Sequence, residues 1–280
     1  MGVTGILDDI QFSYYTVETG RSDEKRLTML NKLYNPNTTR FLLESGLEPG
    51  MVVTEIGCGC GELACWIADQ VAPSGTVFAI DKDAEQLEVA SSLAKKRGIT
   101  NIVFEQMCLK DLLNYPRKFD LIYSRWVLMY LTSPIIGVET MVMALKDGGI
   151  IICEDVDFSN HSIFSFPKTD ILNRWIFYWT KNFEILNLKK IDFFNDVYIT
   201  MKKLNLQDFK LTTNQPILTS QDEKSILRLG MAATKSSILS NKAATEEEYL
   251  DFLNAAEEFE KIDSVIGFVR NMLISARKLS

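Results

Sequence analysis

Residues 51–61 read Met-Val-Val-Thr-Glu-Ile-Gly-Cys-Gly-Cys-Gly, so an apolar run carries Glu55 near its end and Gly57, Gly59 and Gly61 follow at every second position. The run predicts a buried strand that enters a glycine-rich turn, and then a helix that opens at Glu62 and continues through Leu63, Ala64, Trp66, Ile67 and Ala68. Glycine lets bare backbone come close to a ligand, and the first turn of a helix supplies free N–H groups. Strand, glycine turn and helix in this order point to an α/β sheet that binds its ligand at the carboxyl ends of the strands.

The spacing narrows the ligand. A dinucleotide loop is G-x-G-x-x-G, and the position of its third glycine, counted from Gly59, holds Glu62. An acid there would face the pyrophosphate that the helix end is meant to hold. The pattern E-x-G-x-G-x-G resembles motif I of class I S-adenosylmethionine-dependent methyltransferases. Their ligand carries a carboxylate, an ammonium, a sulfonium, a ribose and an adenine, and no phosphate.

The following elements arrive in the order that resemblance implies. Thr76 to Ile80 form an apolar strand ended by Asp81, an acid placed to accept from ribose hydroxyls. A helix from Ala84 to Arg97 stops at Gly98, a C-cap residue. Strands are expected at Ile102–Phe104 and Phe119–Tyr123. The segment Phe119-Asp120-Leu121-Ile122-Tyr123-Ser124-Arg125 resembles motif IV of the family. Leu145-Lys146-Asp147-Gly148-Gly149, before a fifth strand at Ile150–Cys153, resembles its L-K-P-G-G turn.

The resemblance implies a doubly wound, Rossmann-like α/β fold with a seven-stranded sheet and an antiparallel last strand. Asp208 to Thr213 and the apolar stretch Val265 to Ala276 are candidates for the last two strands. One domain over 1–280 is expected. It comprises a helical N-terminal lid (1–46), a cofactor-binding core (47–157), a helical cap insertion (158–206), and a final part (207–280) with helices near Gln221–Leu239 and Thr245–Glu260. In the lid, Ser22 reads as an N-cap to a helix ending near Tyr34, and Asn35-Pro36 as the start of another that stops at Gly46.

Composition excludes several classes of function. A net charge of −7 argues against a broad basic surface for nucleic acid. No apolar run reaches membrane-spanning length, and Met1 to Ser13 has no basic region of the secretory type. The five cysteines read as reduced, buried thiols of a cytoplasmic protein. Cys58, Cys60 and Cys65 sit where the loop and its helix need small residues, so no metal is expected.

Site residues follow from the resemblance. Glu55, Gly57, Cys58, Gly59 and Gly61 would hold the methionine end of S-adenosyl-L-methionine. Asp81 would hold the ribose, with Lys82 and Gln86 beside it. Met107, Cys108 and Leu109 would flank the adenine, although the family usually has an aspartate where Cys108 stands. Ser124 and Arg125 would lie along the cofactor, and Tyr15 would close over it.

Acceptor contacts are expected from Tyr14, Trp126, Tyr130 and Asp157, and from Trp175, Tyr178 and Trp179 of the aromatic-rich insertion. That insertion reads equally as a pocket-forming cap or as a helical hairpin burying its own stripe. The single histidine, His161, follows the fifth strand and is a candidate general base. The reading is methyl transfer to an O or N atom of a small apolar or aromatic molecule, with S-adenosyl-L-homocysteine as product. Methylation of a protein or RNA group, and a non-catalytic binding module, are the alternatives.

Overall fold

The computed structural model describes residues 17, 23–157, 163–186 and 193–279. Helix α1 (Glu24–Ser45) leads into β1 (Val52–Ile56), α2 (Glu62–Val71), β2 (Thr76–Asp81), α3 (Ala84–Arg97) and β3 (Ile102–Gln106). After a 3-10 turn come β4 (Phe119–Arg125), α4 (Pro134–Ala144) and β5 (Leu145–Val156). These are followed by β6 (Phe164–Phe166), α5 (Ile171–Ile185), α6 (Phe193–Lys203), β7 (Gln207–Asn214) and β8 (Ile217–Leu218). Short helices α7 (Gln221–Lys224), α8 (Ile226–Ala233) and α9 (Lys235–Ser240) precede α10 (Glu246–Glu260), β9 (Val265–Gly267) and β10 (Asn271–Arg277).

The main sheet has the order β3-β2-β1-β4-β5-β10-β7. Its first five strands are parallel, and β10 runs antiparallel between β5 and β7. Successive side chains of a strand point to opposite faces, so both faces of β5 must be apolar. Ile150 and Ile152 pack with Leu63, Ile67 and Val71 of α2 and with Phe41 and Leu42 of α1. Ile151 and Cys153 pack on the other face with Val138 and Met141 of α4 and with Phe193, Val197 and Met201 of α6.

A third core lies beyond the carboxyl ends of the strands. It joins Leu30 and Tyr34 of α1 to Trp175, Tyr178 and Phe183 of α5, Ile226 and Met231 of α8, and Phe252 and Ala256 of α10. A small sheet of order β6-β9-β8 borders it.

Several boundaries differ from expectation, for physical reasons. The two N-terminal helices are one, with Pro36 inside it. Lys32, whose carbonyl loses its helical donor to Pro36, is exposed, while Leu30, Tyr34, Thr38, Phe41 and Leu42 stay buried along the length of the helix. Its N-cap is Asp23, and Ser22 lies outside the described residues.

The cap is also built differently. Helix α6 has Phe193, Val197 and Met201 at a spacing of four, and that stripe covers the sheet rather than the ligand edge. The cap is instead α5 together with α8–α10, so half of it comes from the segment between the last two large strands. Phe164 and Phe166 lie on β6 with their side chains outward, at 38% and 66% exposure. The stretch 265–276 divides into β9 of the small sheet and β10 of the large one.

One buried group fastens the N-terminal helix to this sheet. The carboxyl group of Glu154, fully buried on β5, accepts from Thr38 Oγ1 of α1 at 2.7 Å and Tyr123 Oη of β4 at 2.8 Å. It also accepts from Asn271 Nδ2 of β10 at 2.9 Å and Asn214 Nδ2 of β7 at 3.3 Å. Replacing it by leucine strands the buried donors of Tyr123, Asn271 and Asn214, each costing about 1–3 kcal/mol unpaired, while Thr38 Oγ1 keeps Tyr34 O as an acceptor at 3.1 Å. Glu154→Leu should therefore lower unfolding free energy by at least about 3 kcal/mol, whereas Tyr123→Phe, which removes a single donor, should cost about 1 kcal/mol. Urea denaturation of both variants measures the difference, and equal midpoints would contradict it.

Candidate functional site

The glycine loop is shaped by left-handed backbone. Gly57, Gly59 and Gly61 have φ of +70°, +51° and +77°. The N–H groups of Gly57 and Cys58 both donate to Ile80 O, at 2.8 and 3.0 Å, which folds the loop over the end of β2. Asp81, buried at that end, completes the arrangement. Its Oδ2 accepts from Gly59 N at 3.0 Å and its Oδ1 from Asp83 N at 3.0 Å. Burial raises the Asp81 carboxyl from its ordinary range, and those two backbone donors oppose the shift.

Two cavities meet over this loop. The larger encloses about 170 Å³ and runs from Gly57, Gly59, Asp81 and Gln86, past Arg125 and Trp126, to Trp175, Trp179 and Phe268 of the cap region. The smaller lies among Ile56, Lys82, Met107, Leu109 and Val127. They share Gly57, Asp81, Trp126 and Tyr130, so the last two residues form the partition between them.

Trp126 holds an uncommon backbone. Its φ of +54° is in the left-handed region, which costs an L-residue about 1–2 kcal/mol. Four contacts compensate. Its N–H donates to Glu154 O and its Nε1 to Asn271 Oδ1, at 3.0 and 3.1 Å. Its ring meets Tyr34 edge-on at 5.0 Å, and the Arg125 guanidinium lies 5.0 Å from it. Arg125 is itself clamped by α1, with Nη1 donating to Asn35 Oδ1 at 2.9 Å and Nη2 to Asn31 Oδ1 at 2.7 Å.

Two buried acceptors near the loop are unpaired. Glu55 Oε2 and Gln86 Oε1 have no hydrogen-bond partner among the described residues. Burial pushes the Glu55 carboxyl up to about 8, against the opposing pull of Arg125.

Of the residues expected around the cofactor, Gly57, Gly59, Asp81, Lys82, Gln86, Met107, Leu109 and Arg125 line one cavity or the other. Glu55, Cys58, Gly61, Cys108 and Ser124 do not. Glu55 is buried beneath the loop. Cys58 packs into the core under α2, and burial drives its thiol well above the ordinary range. Gly61 serves helix packing, because a Cβ there would stand 2.6 Å from Ala90 Cβ of α3. Cys108 opens the 3-10 turn, its N–H bonded to Asp111 Oδ2 at 2.7 Å. Ser124 is fully enclosed within the sheet. Glu62, which occupies the position of a third dinucleotide glycine, meets Arg97 at 2.8 Å.

On the acceptor side, Trp126, Tyr130, Trp175 and Trp179 line the larger cavity. Tyr178 does not. It lies about 100° round the helix from Trp179 and packs edge-on against Phe252 of α10. Asp157 is taken by the guanidinium of Arg270, whose Nε donates to Oδ2 at 3.1 Å. Tyr14, Tyr15 and His161 lie outside the described residues.

The sequence reading missed the α1 face. Asp23, Arg26, Leu27, Leu30 and Tyr34 all line the larger cavity, and Asp23 is held by Arg26. Their spacing of three and four residues is the signal that was available. It missed Ile226, Gly230 and Thr234 as well, because their helices were read as joining the last two strands, and Phe268 and Val269, because they fall within a stretch read as strand.

Comparison with known proteins adds the following. A family model described as a methyltransferase domain matches residues 47–230. Phosphoethanolamine N-methyltransferase 1 of Zea mays is 33% identical over 156 residues, covering 53% of this chain and 30% of that protein. The ubiquinone/menaquinone biosynthesis C-methyltransferase UbiE of Shewanella woodyi is 28% identical over 137 residues, 48% of this chain and 51% of that one. The chain thus spans about half, or less, of the length of these curated relatives. Among solved structures, the YcgJ protein of Bacillus subtilis superposes with a TM-score of 0.57 at 17% identity, over 86% of this chain and 97% of that one. Phosphoethanolamine N-methyltransferase 2 of Haemonchus contortus gives 0.54 at 17%, over 88% and 53%. At such identities the structural likeness is one of fold.

The three loop glycines should respond differently to alanine. At Gly59 a Cβ meets only Leu27 Cδ1, at 3.9 Å, so the cost is the left-handed backbone alone, about 1–2 kcal/mol. At Gly61 the same strain is joined by the clash with Ala90, which adds about 1–3 kcal/mol. Thermal denaturation should rank Gly61→Ala below Gly59→Ala, and the reverse order would contradict the assignment of Gly61 to helix packing.

Proposed function

The chain belongs to the methyltransferase domain family, with the fold of the class I S-adenosylmethionine-dependent enzymes, and we propose that it transfers a methyl group to an O or N atom of a small, apolar or aromatic molecule. The observation that carries this reading is the continuity of one cavity from the glycine loop to the aromatic wall of the cap. An RNA acceptor would need an open basic surface, and the net charge of −7 favours none.

The residues fit the cofactor of the family. Gly57 and Gly59 leave bare backbone at the cavity floor. Asp81 would accept from ribose hydroxyls while its carboxylate also braces Gly59. Met107 and Leu109 would flank the adenine in the smaller cavity, with Lys82 beside them. Arg125, held by two neutral amide oxygens, is suited to the carboxylate of the methionine end. The orphaned oxygen of Gln86, on the cavity wall, is suited to its ammonium, and the buried carboxyl of Glu55 beneath the loop would feel that added positive charge.

When bound, the cofactor supplies a methyl group on a sulfonium, open to in-line displacement. The chain supplies position and dryness. Trp126 and Tyr130 would separate the adenosine side from the acceptor side. Trp175 and Trp179 would hold the acceptor and exclude water. His161 is retained as the proposed base where the acceptor must lose a proton.

Calorimetry with S-adenosylhomocysteine and with NAD tests the cofactor. Saturable binding of the first and none of the second is expected, and the opposite result overturns the reading. A second test uses the raised carboxyl of Glu55. With its pKa near 8 the group is protonated at neutral pH in the free protein. A positive charge brought to the loop above it favours the ionised form, so binding should release up to about one proton near pH 7. Affinity should then rise with pH and level off above about 8. Buffers of differing ionisation enthalpy measure the proton release. Glu55→Gln should abolish it, and unchanged release in that variant would remove Glu55 from the cofactor site.

A further inference from the structure

Gly230 stands inside α8 with ordinary helical backbone, since its φ is not left-handed. An interior helical glycine is less favourable than alanine, so a glycine there needs a reason. Packing within the protein does not supply one. A Cβ built at Gly230 meets only the indole of Trp175, at 3.6–4.0 Å, which is ordinary contact. By contrast, a Cβ at Gly57 or Gly61 would come within 2.6 Å of a neighbour. The fold would therefore accept alanine at 230.

The remaining neighbour is the cavity. Gly230 lines it beside Trp175 and Trp179. The atoms nearest that missing Cβ are Cζ2, Nε1 and Cε2 of Trp175, which span both rings of the indole. A side chain at 230 would cover them. Trp175 and Trp179 are stacked, with centroids 5.6 Å apart and planes 18° from parallel, so each covers one face of the other and it is the remaining ring surface that borders the cavity. Trp175 Nε1 is satisfied by Leu227 O at 3.1 Å, which fixes the indole and leaves its apolar body for contact.

We infer that Gly230 is a specificity-determining residue: it leaves uncovered the part of the Trp175 indole that borders the cavity, so that the acceptor space takes a flat aromatic ring system laid against the Trp175–Trp179 wall. The inference rests on the cap side of the cavity being the acceptor side. A larger residue at 230 would shorten that space and restrict the acceptor, without reaching the glycine loop.

The test uses wild type, Gly230→Ala and Gly230→Leu, each with saturating S-adenosylhomocysteine, and three probes: 2-naphthol, phenol and cyclohexanol. Calorimetry should find wild type binding 2-naphthol more tightly than phenol, and cyclohexanol least. Gly230→Ala should weaken 2-naphthol about tenfold and Gly230→Leu about a hundredfold, because an added methyl or more in a filled apolar pocket costs that much. Affinity for S-adenosylhomocysteine should not change, and the melting temperature of Gly230→Ala should stay level or rise. Wild-type affinity for 2-naphthol in Gly230→Leu, or no preference for aromatic probes in wild type, overturns the inference. A clear fall in melting temperature for Gly230→Ala would assign the glycine to folding instead. If wild type fails to bind S-adenosylhomocysteine, the functional reading falls and this inference with it. Binding of S-adenosylhomocysteine with no response at residue 230 overturns the inference alone.

Discussion

The carboxyl group of Glu154 is the point on which the site depends. It lies in the dry interior, and a polar group there must be fully hydrogen-bonded or it costs several kcal/mol. Its four donors come from α1, β4, β7 and β10, elements far apart in sequence. Satisfying one buried group therefore fixes the N-terminal helix against three strands. Asn271 extends the effect, because it donates to Glu154 and accepts from Trp126 Nε1. Asn214 does likewise, donating also to Tyr34 O of α1 at 3.0 Å.

Everything that α1 brings to the cavity follows from that anchoring. Tyr34 packs on Trp126 and bonds Val269 O at 2.7 Å, joining the helix to the cap. Asn31 and Asn35, on the same helix, hold Arg125. The strained backbone of Trp126 persists because its ring and its N–H are both over-determined by these contacts. A bulky residue held in a sparsely populated conformation at the partition of two cavities is the kind of outlier from which function is argued. Here it keeps an indole at the partition of the two cavities, where the proposed function puts the cofactor on one side and the acceptor on the other.

What was legible in the sequence divides along physical lines. The parallel core was legible because its strands are short apolar runs punctuated by glycine and acid, as in Met51–Gly61 and Thr76–Asp81, and because local spacing alone predicts such elements. The cavity floor followed from the loop glycines and Asp81. Side-chain roles that depend on distant partners were not legible. Asp157 looks like a free acid until Arg270, over a hundred residues later, is brought beside it. Glu62 shows no partner until Arg97 is brought beside it. Gly61 reads as a ligand glycine, yet its missing side chain makes room for Ala90. The cap was half legible: the aromatic stripe of α5 and the helices that became α8 and α10 were apparent, but that these helices meet α5 over the strand ends is set only in three dimensions. Tyr178 stands three residues from Trp175 and shares a broad helix face with it by spacing alone; only its contact with Phe252 of α10 takes it out of the cavity wall.

The central claim is that one cavity joins a cofactor lobe at the glycine loop to an acceptor lobe under the aromatic cap. A crystal structure of the chain with S-adenosylhomocysteine tests it most directly. The account predicts the adenine between Met107 and Leu109, the ribose at Asp81, the amino-acid end between Gly57–Gly59 and Arg125, and the sulfur facing open space bounded by Trp126 and Trp179. Ligand density outside the loop, or a sulfur that faces bulk solvent away from Trp126 and Trp179, would contradict it.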